Sequence, residues 1–138
     1  MKRMLLGFVI LLGATGMFTP IRAAQGNGKV ILSLSGRGPL YFEGAITYFR
    51  VRPSGDSKWI EKSLKNQSES FSLAAGEYEI ESYVRPCDGN CGLLDPPTDR
   101  CQTTFRLKAG ETLYAVRMQS NEGKCTLAVS HDSPDGKK

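Results

Sequence analysis

Between residues 29 and 130, apolar and polar positions alternate with a period of two, the pattern of β-strands with one buried face. Val30, Leu32 and Leu34 alternate with Ile31, Ser33 and Ser35. Over 45–52 the set Ala45, Thr47, Phe49 and Val51 forms the apolar face, and Arg50 and Arg52 point the other way. Phe71 and Leu73 make a short piece. The clearest run is 77–84, with Tyr78, Ile80 and Val84 inward and Glu77, Glu79 and Glu81 outward. Thr103, Phe105 and Leu107 alternate with Thr104, Arg106 and Lys108. Tyr114, Val116 and Met118 alternate with Ala115, Arg117 and Gln119. Cys125, Leu127 and Val129 alternate with Thr126, Ala128 and Ser130. Arg106 and Arg117, or Arg50 and Arg52, then occupy outward positions that can cross to the glutamate row, which reads as a solvated strand face balanced by cations. No stretch carries a helical period.

Turn chemistry separates these runs. Pro53-Ser54-Gly55-Asp56, Ala75-Gly76, Ala109-Gly110 and Asn121-Glu122-Gly123 each supply a residue that accepts positive φ or a preset φ. Lys108-Ala109-Gly110-Glu111 predicts a tight hairpin between 102–108 and 112–119. About seven antiparallel strands at this spacing predict an all-β fold, a single two-sheet sandwich.

The first 24 residues read differently. Lys2 and Arg3 precede an apolar run over 5–14, and Pro20 and Ala23-Ala24 follow. That order is a secretory signal, cut after Ala23 or Ala24. Gly13, Gly16 and Pro20 interrupt the run, which argues against a retained anchor helix. The expected organisation is a signal peptide at 1–24, a sandwich domain at 25–131 and a disordered tail at 132–138. The leader holds Lys2, Arg3 and Arg22 and no acid. Removing it takes Lys+Arg from 18 to 15 against 14 Asp+Glu, so the net charge falls from +4 to +1. Neither nucleic acid nor an anionic membrane would be drawn by bulk charge.

The remaining chain holds Cys87, Cys91, Cys101 and Cys125. An even count in a short exported domain predicts two disulfides. Cys87 and Cys91 can close within one Gly-containing loop. The expected hairpin would carry Cys101 to the end where Gln119 exits and Cys125 returns, giving Cys101–Cys125. Four-cysteine zinc is set aside on the same compartment argument.

The segment Phe71-Ser72-Leu73-Ala74-Ala75-Gly76-Glu77-Tyr78-Glu79-Ile80-Glu81 resembles the apolar-x-x-Gly-x-Tyr-x-apolar stretch of carboxypeptidase-regulatory-like and transthyretin-like sandwiches. Thr104-Phe105-Arg106-Leu107-Lys108-Ala109-Gly110-Glu111-Thr112 is similar to their second hairpin. The resemblance runs over roughly 29–130. It implies an immunoglobulin-like or prealbumin-like sandwich serving as an accessory, non-catalytic domain at an extracellular surface; the cysteine-rich insertion departs from the family pattern, so no family site carries over.

That insertion, 86–101, is the segment where a site is expected. Pro86, Pro96, Pro97 and the cysteines stiffen it, and long ordered loops in compact domains are often functional. As a partner-binding loop it would use Asp88, Asn90, Leu94, Asp95, Asp99 and Arg100. As an inhibitor loop it would place Arg100 or Leu94 in an enzyme pocket. As a calcium site it would use the oxygens of Asp88, Asn90, Asp95 and Asp99, without EF-hand spacing. As plain architecture, the same Asp, Asn and Pro residues build turns. No other cofactor is expected. Tyr41, Phe42, Tyr48 and Trp59 raise a glycan-stacking alternative, and Asn66-Gln67-Ser68 is a glycosylation sequon. Catalysis finds no motif: His131 is the single histidine and stands beside Asp132 near the tail. The expectation is a secreted or periplasmic non-enzyme that contacts an extracellular or envelope protein, or a glycan, with no stable membrane insertion after leader removal.

Overall fold

The computed structural model describes residues 26–35, 45–64, 69–87, 91–119, 124–134 and 136. The leader, Tyr41, Phe42, Asn66, Asp88 and Asn90 lie outside them. The described residues are all-β: β1 (Asn27–Ser35), β2 (Ala45–Pro53), β3 (Ile60–Leu64), β4 (Glu69–Ala74), β5 (Gly76–Pro86), β6 (Thr98–Leu107), β7 (Thr112–Gln119) and β8 (Cys125–Ser130). They form two four-stranded sheets, ordered β4-β1-β7-β8 and β3-β2-β5-β6. The alternation in 30–35, 45–52, 77–84 and 125–130 thus corresponds to real strands. β3 was not expected, because Glu61-Lys62-Ser63 offers no apolar alternation. It pairs with β2 at the sheet edge, where Arg50 stands opposite Glu61.

One core lies between the inner faces of the two sheets, giving a sandwich-like arrangement. Val30, Leu32, Phe71, Leu73, Leu113, Ala115 and Leu127 come from the first sheet; Phe49, Val51, Tyr78, Ile80, Cys101 and Leu107 come from the second. Burial of these side chains is the main stabilising force, each large one contributing about 1.5–3 kcal/mol relative to exposure. Tyr78 stacks on Phe105, its partner across β5 and β6, with ring centroids 5.5 Å apart. Its hydroxyl donates to the Ala74 carbonyl at 2.7 Å. That bond fastens the step from β4, in one sheet, to β5, in the other. It gives the tyrosine of the Gly-x-Tyr segment a mechanical role: its hydroxyl ties the corner.

Three expectations are corrected. The sheets are not wholly antiparallel, since β1 runs parallel to β7. The 108–111 turn does not close a hairpin: β6 and β7 belong to different sheets. Gly110, at φ +73°, makes the turn. Its N–H donates to the Asn27 carbonyl, and Lys29 N–H donates to the Glu111 carbonyl at 2.8 Å. The turn is therefore clamped to β1, and a sheet-crossing arch shows the same turn chemistry as a hairpin. β1 comes so close that a Cβ at Gly28 would meet Leu107 Cγ at 2.7 Å. The inner face of β7 is also reversed. Register with β1 sets Leu113 beside Val30 and Ala115 beside Leu32. Arg117 therefore points into the molecule at 1% exposure, while Met118 faces out at 40%.

Both disulfides pair as expected, Cys87 with Cys91 and Cys101 with Cys125. The second joins β6 to β8. Since the hairpin is absent, its cause is different: it staples the edge strand of one sheet to the edge strand of the other. Two disulfides fit an oxidising environment outside the cytosol. Among the described residues no helix is long and apolar enough to cross a membrane.

Candidate functional site

The 86–101 segment folds back over the end of β5 and is held there by the backbone. Arg85 is the clasp: its Nε donates to the Asp95 carbonyl at 2.9 Å and its Nη2 to the Leu94 carbonyl at 3.1 Å. Asp95 N–H donates to the Pro86 carbonyl at 2.8 Å. The Cys87–Cys91 bond closes the other limb. An arginine binds two successive carbonyls well because its planar fork presents several fixed N–H groups. At the tip, Leu93 is 76% exposed. Leu94 is half-buried and Asp95 is exposed.

The segment rejoins the sheet through Asp99 and Arg100. Asp99 adopts φ +50°, the left-handed region that Asp tolerates better than most side chains. Nearby, the β5–β6 register shifts between Ser82 and Val84. A bulge re-aims side chains, and here Arg100 reaches the outer face of the β3-β2-β5-β6 sheet. Its Nη1 donates to Glu81 Oε1 at 2.5 Å, and its guanidinium lies 5.1 Å from the Tyr83 ring centre. Glu81 also accepts Arg50 Nε at 2.9 Å and Nη2 at 2.6 Å. Burial alone would raise the Glu81 carboxyl, but the bonds and charges of Arg100 and Arg50 outweigh it and hold it below its ordinary value.

This network continues along the sheet. Arg50 and Arg52 guanidinium groups stack on the Trp59 ring at 4.5 and 4.3 Å from its centre. Arg52 Nε donates to Glu79 Oε2 at 2.6 Å, and Arg106 pairs with Glu77. Tyr48 stacks on Tyr83 at 5.3 Å, and the Tyr83 hydroxyl donates to Glu61. Burial, with Glu61 beside it, pushes Tyr83 up to about 12. Each glutamate of the row thus meets an arginine, with Arg100 and not Arg117 supplying the fourth, but Glu81, at 6% exposure, is not the solvated residue the outward reading expected. Trp59 is half-buried and engaged with two cations. A groove of about 370 Å³ is lined by Arg52, which stacks on Trp59, and by Glu79, Gln102, Thr103 and Thr104.

Arg117 sits under this region, between the sheets. Its Nη2 donates to the Asp99 carbonyl at 2.9 Å. Its Nη1 lies 3.3 Å from Ser82 Oγ and 3.4 Å from Cys101 Sγ. Its Nε has no hydrogen-bond partner among the described residues. Burial lowers its pKa, opposed by the field of Asp99.

Of the loop residues expected from sequence, Leu94, Asp95, Asp99 and Arg100 are described. The structure joins Arg100 to Glu81 and sends the Asp99 carboxylate toward Gln119 Nε2 at 3.4 Å. Asp95 contributes backbone to the clasp. Among the described residues no three acidic, histidine or cysteine side chains converge on a metal position. Sequence reasoning missed Leu93, which its neighbour Leu94 mimics in composition, and Arg85, whose signal was its place directly before Pro86. No family model, curated protein or solved structure matches the chain.

Proposed function

We propose that this chain is an exported, non-catalytic recognition module that contacts an extracellular or envelope protein through the stapled loop 86–101. The observation that carries the reading is the loop's tip: Leu93 is 76% exposed on a segment pinned by a disulfide, by Asp95 N–H and by both Arg85 bonds. A large apolar side chain held out on a rigid support loses little conformational entropy on binding. The leader, two disulfides and the resemblance to accessory sandwich domains support export. The immunoglobulin-like or prealbumin-like description belongs to this reading. A photo-crosslinking residue at position 93 should trap one discrete envelope protein. Leu93→Asp should abolish its capture with an unchanged melting temperature. Equal capture by wild type and Leu93→Asp would overturn the proposal.

A glycan is the second reading, favoured by the polar groove lined by Arg52, which stacks on Trp59. A glycan array with a hit that Trp59→Ala removes and Leu93→Asp preserves would favour it over the loop.

A further inference from the structure

We propose that the Cys101–Cys125 bond is a thiol-exchange site, attacked at Cys125 and leaving from Cys101, with Arg117 stabilising the departing sulfur. The two cysteines are unequal. Cys101 is buried at 9% exposure, whereas Cys125, at the start of β8, is half-buried and the more exposed of the two. Arg117 is 1% exposed and its Nη1 is 3.4 Å from Cys101 Sγ. Its other acceptors are a carbonyl and a hydroxyl, and it makes no ion pair among the described residues. A buried cation whose direct acceptors are all neutral is costly, and the charge of Asp99 offsets this only in part. A thiolate at Cys101 would supply a direct counter-ion in place of a neutral sulfur.

The step balances as ordinary exchange. An external thiolate forms a bond to Cys125 Sγ, the Cys101–Cys125 bond breaks, and its electron pair leaves on Cys101 as thiolate beside Arg117. A second external thiolate then attacks the outer sulfur of the mixed disulfide, releasing the Cys125 thiolate and the external disulfide. Exchange is faster when the leaving thiol is more acidic, and an adjacent guanidinium acidifies it. The groups around the bond are Arg117 on β7, Asp99 on β6 and Ser82 on β5 on the Cys101 side, and Gln119, paired with Cys125, and the exposed Lys124 on the Cys125 side. Asp99 turns its carbonyl, not its carboxylate, to the guanidinium. Cys87–Cys91 is the internal control. The nearest arginine in sequence, Arg85, two residues before Cys87, is occupied by the Leu94 and Asp95 carbonyls. The consequence of exchange is release of the staple between the β6 and β8 edges.

The test uses the full oxidised protein with reduced glutathione as the thiol. Samples are quenched with N-ethylmaleimide and mapped by peptide mass spectrometry. Glutathione on Cys125 with maleimide on Cys101 is expected. Arg117→Met should slow opening of this bond at least tenfold and leave Cys87–Cys91 unchanged. Arg117→Lys, which keeps the cation, should stay within about threefold of wild type. Glutathione on Cys101, or on both cysteines equally, overturns the proposal, as does an Arg117→Met rate equal to or above that of wild type. Should Arg117→Met fail to fold, adduct position in the wild type decides alone.

Discussion

The two outer faces of this molecule share one core and little else. On the β3-β2-β5-β6 sheet, arginines, glutamates and aromatic rings interlock: Glu81 between Arg50 and Arg100, Trp59 against Arg50 and Arg52. On the β4-β1-β7-β8 sheet the outward positions are Ile31, Ser33, Ser70, Ser72, Tyr114, Val116, Met118, Thr126 and Ala128, with Lys29 the one charge in their rows. Alternation makes both faces outward. Only pairing decides whether a charged face is rigid. Glu81 keeps its charge at 8% side-chain exposure because two arginines reach it. Among the described residues the second face, with Lys29 as its charge, shows no comparable network of arginine–glutamate pairs.

The largest break in this contrast is expected from Glu81→Gln. It should cost about 2 kcal/mol in urea denaturation, below the about 3–5 kcal/mol of a fully buried pair because Arg100 can turn to water. The same variant reads the pH dependence. Since the folded-state pKa of Glu81 is depressed, its stabilisation is complete above the ordinary glutamate range near pH ~4.3 and fades as pH falls through the lower folded value. The gap between wild type and Glu81→Gln should therefore close in acid; a gap that persists at pH ~2 would show another origin. Trp59→Ala should cost about 1–2 kcal/mol by loss of two cation–π contacts. Arg106→Ala should cost at most about 0.5 kcal/mol, because the pair with Glu77 is exposed and screened by salt. Ser33→Ala on the uncharged face should be neutral or slightly stabilising, since the buried Ser33 Oγ has no hydrogen-bond partner among the described residues.

Much of the fold was readable from residue order. The glutamates of β5 and the arginines of β2 announced their faces because each run has a single apolar side. β7 has two: Leu113 with Ala115, and Tyr114 with Val116 and Met118. Hydrophobicity alone prefers the larger set, while register with β1 selects the smaller one and buries Arg117. The Ala109-Gly110 turn could not reveal its sheet crossing, because the deciding bonds come from Asn27 and Lys29, far away in the chain. The site was half legible. Prolines and cysteines marked the 86–101 loop. The union of Arg100 with Glu81 depends on the bulge near Ser82 and on the backbone of Asp99, and neither has a local spelling.

The parallel pairing of β1 with β7 has a consequence for how the molecule is assembled. Lys29 finds Thr112, and Ser35 finds Met118, only after the chain between them has been made. β1 must wait for β7. High contact order of this kind slows folding, and although β4 can cover one edge of β1 earlier, the other edge stays open until β7 arrives.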